Sequence, residues 1–229
     1  MTAYLYYIAS YIDLLPVIIF VFLFILFNQV TKEKPLIIIT LNCLLSFLIL
    51  FFSDYVPKSL QHYAYSFFIL TEYITFILFL WFNINSSALK KVIVSSSLAF
   101  IIFLSIYTIL AKIKQIDSLS IGIESILVLS FTFYFLYELV SKPSTTYIHI
   151  DYRFWISLGI IIYLASTFFI YIYADQLSYK EISKFWFLTW IFYILKSVFF
   201  FIGMLVYYHQ PKKNAGASAK ASQPFLDMI

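Results

Sequence analysis

Three charged side chains lie within otherwise apolar stretches of this sequence: Glu72, Glu124 and Lys196. On insertion scales, a charged residue at the centre of a membrane helix costs about 2.5 to 3.5 kcal/mol, and such residues face the bundle interior, where they mark functional sites. An acid and a lysine that meet there stabilise each other's charged forms. We therefore expect these three side chains to form one buried charge network.

Glu72 and Lys196 are expected to pair because they lie at similar depths. Glu72 lies about twelve residues into the third predicted helix and Lys196 about eleven into the seventh, which places both roughly 17 to 18 Å from the same end of the bundle. Glu124, roughly 8 or 9 Å deep in the fifth helix, lies in the same outer half. The long side chain of Lys196 is expected to bend towards it.

Hydroxyl and amide side chains are predicted to border an outward-opening pocket around this triad. They are Thr71, Thr75, Ser125, Ser197 and Asn42. Two interpretations remain open, because the network either binds a ligand or ion or only fixes how the helices pack. In a further alternative, Lys196 extends its amine towards the membrane surface and never meets an acid.

Other singular residues have simpler interpretations. Asp13, just before a proline, indicates a helix start at the outer membrane surface. Glu138 is expected to form a surface ion pair with Lys142, four residues further on. Asp151 is predicted to cap the sixth membrane helix, and Gly159 to permit a close approach of two helices.

The elements that hold these residues are predicted to be membrane-spanning helices. The 229 residues are 63% hydrophobic and 11% charged, whereas soluble domains carry about 25% charged residues. Apolar runs of about 18 residues or more cross a bilayer as helices, and their continuity excludes a β-barrel. We predict an all-α membrane protein, a seven-transmembrane-helix bundle over residues 1–208, with spans Tyr7–Gln29, Leu36–Phe52, Leu60–Phe82, Val92–Ala111, Leu119–Val140, Phe154–Tyr173 and Phe185–Tyr208.

The basic residues outside the spans predict the orientation. Nine Lys and Arg residues fall in the first, third and fifth loops and the tail, against five on the opposite side. Since cytoplasmic loops carry the excess of positive charge, the N-terminus is expected outside and the C-terminus in the cytoplasm. Residues 209–229, small and polar, are predicted to be a disordered cytoplasmic tail.

The composition also predicts the surroundings of the protein. Its wealth of Ile, Phe, Tyr, Lys and Asn indicates an AT-rich bacterial genome, and hence a bacterial cytoplasmic membrane. The net charge of +4 suits loops beside anionic lipid and does not indicate nucleic-acid binding.

Catalysis is not indicated by the motifs of this chain. His62, His149 and His209 fall on different predicted segments, so no metal site is expected. No hydrolase, phosphate-loop or kinase motif occurs in the sequence. Lys196 invites comparison with the Schiff-base lysine of retinal proteins, but their other acids and the sixth-helix proline are missing. We expect no cofactor, with retinal on Lys196 as the alternative.

Four predicted helices carry short patterns of polar and aromatic residues: Thr71-Glu72-Tyr73, Ile123-Glu124-Ser125, Phe154-Trp155 with Gly159 and Tyr163, and Leu195-Lys196-Ser197. Together they resemble a family of small bacterial seven-helix integral membrane proteins, some of which look like input modules of sensor histidine kinases. The resemblance implies a sensor that acts on a separate cytoplasmic signalling partner, because no kinase is fused here.

These observations predict a membrane receptor or sensor with an outward-facing polar pocket for an unknown ligand. One alternative is a small transporter or proton-coupled carrier that uses the same charges, although no internal repeat supports it. Another is a structural membrane subunit whose buried charges only fix the packing.

Overall fold

The fold is a bundle of α-helices. The computed structural model describes residues 2–27, 33–53, 55–57, 60–110, 118–141, 148–174 and 179–209, and all regular secondary structure within these ranges is helical. The helices are α1 (Thr2–Ile12), α2 (Leu14–Phe27), α3 (Lys34–Ser53), α4 (Gln61–Asn83), α5 (Ser87–Leu110), α6 (Ser118–Val140), α7 (Tyr152–Ala174) and α8 (Tyr179–His209), with a short 3₁₀ turn (Ile148–Ile150) before α7.

Six helices, α3 to α8, are long and apolar enough to cross a membrane. The prediction of a multi-pass, all-helical membrane protein is thus confirmed, and each of these six helices overlaps the span predicted for it. The helix α5 begins at Ser87, one turn or more before its predicted start at Val92. Its basic end lies against an aromatic residue, since the Lys90 amine is 4.9 Å from the Trp81 ring.

The first predicted span is not one continuous helix, which corrects that prediction. It is divided at Asp13 into α1 and α2. Pro16 gives the physical reason, because proline lacks a backbone N–H and its ring clashes with the carbonyl four residues earlier, here Ile12. Asp13 is fully buried, so its predicted place at the membrane surface was also wrong.

Two glycines bring α7 and α8 into backbone contact. A Cβ atom on Gly159 would lie 2.9 Å from Phe199 Cβ and 3.2 Å from the Lys196 carbonyl oxygen. A Cβ atom on Gly203 would lie 3.1 Å from the Tyr152 carbonyl oxygen. The close approach predicted for Gly159 is confirmed, and it fixes the position of the α8 backbone at Lys196.

Two of the other predicted roles can be compared with observed contacts. The Arg153 N–H donates to Asp151 Oδ1 at 2.9 Å, so Asp151 caps α7 as predicted. Glu138, by contrast, accepts a hydrogen bond from the Asn85 N–H at 3.1 Å and another from the Asn85 side chain. Glu138 therefore ties α6 to the α4–α5 turn, while its expected partner Lys142 lies outside the described residues, as do residues 210–229 of the predicted tail.

Candidate functional site

Glu72 on α4 and Lys196 on α8 form the buried ion pair that the sequence predicts. Lys196 Nζ lies 2.8 Å from Glu72 Oε1, and the two side chains are 0% and 4% exposed. The second carboxylate oxygen, Oε2, accepts a hydrogen bond of 3.0 Å from the Tyr163 hydroxyl on α7. The carboxylate thus has a partner on each oxygen, which offsets part of the cost of its burial.

Aromatic rings surround the lysine amine. Lys196 Nζ lies 4.0 Å from the ring centroid of Tyr193, 4.4 Å from that of Tyr163 and 5.8 Å from that of Phe76. Ring faces attract a cation electrostatically, more strongly where water is excluded. The ammonium group is therefore stabilised both by Glu72 and by this aromatic cage (Tyr163, Tyr193 and Phe76).

Asp13 belongs to the same polar cluster, although it was not among the predicted site residues. Its carboxylate accepts hydrogen bonds from the Tyr193 hydroxyl and the Ser197 hydroxyl. The α1–α2 junction is therefore bonded directly to α8. The sequence signal was present, since Asp13 is a lone acid in an apolar run, and Tyr193 and Ser197 flank Lys196 on one helix.

Glu124 on α6 is buried beside the pair without bonding to its lysine. It is 2% exposed and lies in electrostatic range of both Glu72 and Lys196. Its Oε1 atom has no hydrogen-bond partner among the described residues, and neither has the hydroxyl of Ser125. The expected bend of Lys196 towards Glu124 is not observed, because the amine bonds to Glu72.

The remaining predicted border residues lie on α3 and α4. Asn42 Nδ2 donates to Thr75 Oγ1 at 2.7 Å, and Thr75 Oγ1 donates to the Thr71 carbonyl oxygen at 2.8 Å. Asn42 Oδ1 is buried without a partner in the described part of the chain. Asn42 and Thr75 therefore link α3 to α4 about one turn from Glu72, whereas Thr71 contributes its backbone carbonyl.

A cavity of about 280 Å³ adjoins this network. It lies between the C-terminal halves of α3 and α7 and the N-terminal halves of α4 and α8, lined by Ile49, Leu50, Ser53, Gln61, Ala64, Tyr65, Phe68, Tyr163, Thr167, Tyr171, Thr189, Trp190 and Tyr193. The expected pocket had Glu72, Glu124 and Lys196 in its wall. The cavity ends instead at Tyr163 and Tyr193, whose side chains separate it from those charges.

A second cavity, of about 470 Å³, lies at the opposite ends of α3, α4 and α7. Charged and polar residues from those helix ends line it: Glu33, Lys34, Pro35, Phe82, Asn83, Asp151, Tyr152 and Arg153. The 280 Å³ and 470 Å³ cavities are called the aromatic cavity and the polar cavity below. The buried ion pair lies between them, since Glu72 is in the middle of α4 and bonds to Lys196 on α8.

Within the described residues, no three His, Cys, Asp or Glu side chains form a group that would hold a metal ion. In comparisons with known proteins, no family model, curated protein or solved structure matches the chain. The function proposed below therefore depends on the geometry of the site.

Proposed function

We propose that the protein is a membrane receptor or sensor whose ligand enters the aromatic cavity and acts on the buried charge network. In this proposal α1 and α2 together make the first of seven spans, and the N-terminus is outside. The aromatic cavity then opens in the outer half of a bacterial cytoplasmic membrane. One observation carries the proposal: Tyr163 and Tyr193 line the cavity and also contact Lys196.

The two tyrosines give a ligand a route to several helices. A displacement of Tyr163 would break or lengthen its hydrogen bond to Glu72 on α4. A displacement of Tyr193 would alter both its contact with Lys196 and its hydrogen bond to Asp13. Ligand binding would favour a different arrangement of these helices, and their opposite ends would present it to a cytoplasmic signalling partner.

The cavity wall indicates the chemical class of the ligand. None of the described residues that line it is charged, and they combine aromatic rings with hydroxyl and amide groups. Small-molecule sites are mostly apolar with a few polar groups that orient the ligand. A small, uncharged, partly aromatic ligand fits this wall.

The first test blocks the aromatic cavity without touching the charges. Indole is the probe, and its binding to the full chain in detergent is followed by isothermal calorimetry. Ala64→Phe fills the cavity from α4 and is expected to abolish indole binding. Ala99→Phe makes the same change at an exposed alanine on α5 and serves as the matched control with unchanged binding.

The second test asks whether binding moves the helices. Spin labels at Lys91→Cys and His209→Cys, in a Cys43→Ser background, report the distance between the ends of α5 and α8. Indole is expected to shift this distance in the otherwise wild-type chain. Tyr163→Phe should still bind indole but lose the shift, because only its bond to Glu72 is removed.

A different pair of results would contradict the sensor proposal. Indole binding unaffected by Ala64→Phe would show that the aromatic cavity is not the binding site. A distance that stays fixed in every variant would show that binding is not coupled to helix movement.

A carrier is the second candidate, favoured by the position of the two cavities. They lie at opposite ends of α3, α4 and α7 with the ion pair between them, as alternating access through a central site requires. Proton flux into liposomes that depends on Lys196, and is lost in Lys196→Met, would support the carrier over the sensor.

A further inference from the structure

We propose that the polar cavity binds a zwitterion that joins a phosphate to a primary ammonium group, the chemistry of an ethanolamine phospholipid headgroup. The wall of this cavity holds two cationic side chains, Lys34 and Arg153, and two acidic ones, Glu33 and Asp151. Asp151 and Arg153 pair with each other, which leaves one cation, Lys34, and one carboxylate, Glu33, to meet a ligand. A zwitterion complements both.

One carboxylate in the wall has bonding capacity left for the ammonium group. The Tyr152 hydroxyl donates to Glu33 Oε2 at 3.3 Å, while Glu33 Oε1 has no hydrogen-bond partner among the described residues. Asp151, in contrast, is occupied by the backbone and guanidinium group of Arg153. Glu33 is therefore the residue that would contact the ammonium group.

A buried amide also faces this cavity. Asn83 is only 7% exposed, and its Nδ2 donates to the Phe79 carbonyl oxygen at 2.7 Å. Asn83 lines the cavity, so its side-chain oxygen can accept a further hydrogen bond there. A headgroup ammonium in the cavity would be a suitable donor.

The phosphate has its own complement. The helices α3 and α7 both begin at this cavity, and the positive ends of helix dipoles favour anions. Lys34 on α3 adds a full positive charge. The charge of Arg153 is largely compensated by its ion pair with Asp151, so Lys34 is the main cation for the phosphate.

The position of the cavity favours a lipid as the source of this chemistry. It lies at the ends of helices long and apolar enough to span a membrane, at the level where headgroups lie. Ile37 and Phe82, 39% and 37% exposed, extend the surface beside it towards the membrane interior. Acyl chains would follow these side chains.

The test measures lipid binding to the full chain by native mass spectrometry. Phosphatidylethanolamine, phosphatidylcholine and phosphatidylglycerol with the same acyl chains are compared at equal concentration. Because the choline group lacks N–H donors and the glycerol group lacks a cation, phosphatidylethanolamine is expected to bind about tenfold more tightly than either. Equal binding of all three lipids would overturn the proposal.

Single variants locate the bound lipid. Glu33→Gln and Lys34→Gln are each expected to lower phosphatidylethanolamine affinity by about tenfold, since each removes one charge-assisted contact. Lys34 is exposed, so its replacement leaves the helix packing intact and keeps the test valid if other variants unfold. Lys91→Gln, with the same loss of charge on exposed α5 surface outside the cavity, should bind as wild type does.

A competition experiment separates the lipid from a soluble zwitterion. Excess glycerophosphoethanolamine should displace little phosphatidylethanolamine if acyl chains contribute to binding. Complete displacement would support the zwitterion site and assign its ligand to the soluble class. Lipid binding that is equally strong in Glu33→Gln, Lys34→Gln and Lys91→Gln would show that the polar cavity is not the binding site.

Discussion

Removal of Lys196 is expected to be the most damaging single change to the buried network. In Lys196→Met, a side chain of similar length replaces the lysine, and the Glu72 carboxylate keeps only its bond to Tyr163. Breaking a buried ion pair from one side costs about 3 to 5 kcal/mol, because it leaves an uncompensated charge. The free energy of unfolding in mixed detergent micelles should fall by that amount.

A double-mutant cycle makes this prediction specific to the pair. Glu72→Leu alone leaves the Lys196 ammonium group buried, at 0% exposure, without its ion-pair partner. The double variant Lys196→Met with Glu72→Leu removes both members of the pair. The double variant should recover most of the lost stability, because apolar replacement of a whole buried pair is often neutral or stabilising by about 1 to 4 kcal/mol. If the stability loss of the double variant equals the sum of the two single losses to within about 0.5 kcal/mol, the two residues act independently and the reasoning is refuted. Lys91→Met, at an exposed lysine, controls for the loss of one positive charge.

The remaining predictions concern the contacts around the pair. In thermal melts, Gly159→Ala should lower the unfolding free energy by about 1 to 3 kcal/mol, because its Cβ would lie 2.9 Å from an atom of α8. Gly122→Ala is the control and should be nearly neutral, because the nearest atom to its Cβ would be 4.0 Å away. Asp13→Ala should cost about 1 to 3 kcal/mol, because two buried hydroxyl donors lose their acceptor; an unchanged melting temperature would mean that α1 is not bonded to α8. Tyr163→Phe should cost about 1.5 to 3 kcal/mol through the lost bond to a charged group, and Tyr137→Phe, at an exposed site, should leave the melt unchanged.

The hydropathy pattern was sufficient to predict most of the helical architecture. Six apolar runs became six membrane-length helices because length and hydrophobicity alone decide whether a segment can span. The similar depths of Glu72 and Lys196 were equally sufficient to predict their ion pair, since two opposite charges in lipid have few other partners. The length and hydrophobicity of a helix, and the depth of a residue along it, can each be read from that helix alone.

Features that depend on how helices rotate against each other could not be predicted in the same way. The aromatic cavity ends at Tyr163 and Tyr193, but nothing in either helix alone shows that these rings would cover the charges. The break at Asp13 had a local signal in Pro16, and α2 does start directly after Asp13, but the sequence did not show that Asp13 would face α8. Glu138 was expected to pair with Lys142, which lies outside the described residues, and its observed bonds go to Asn85, 53 positions away.

The glycine contacts between α7 and α8 restrict how the bundle can change shape. Helices that touch through side chains can slide by exchanging rotamers, as in shear motions. Backbone atoms in direct contact at Gly159 and Gly203 have no such freedom, so α7 and α8 would move as a single rigid hairpin that carries Tyr163 and Lys196 together. Any switching would then take place at the borders of this hairpin, where Glu72 on α4 is held by its ion pair with Lys196 and Asp13 at the α1–α2 junction is held by hydrogen bonds.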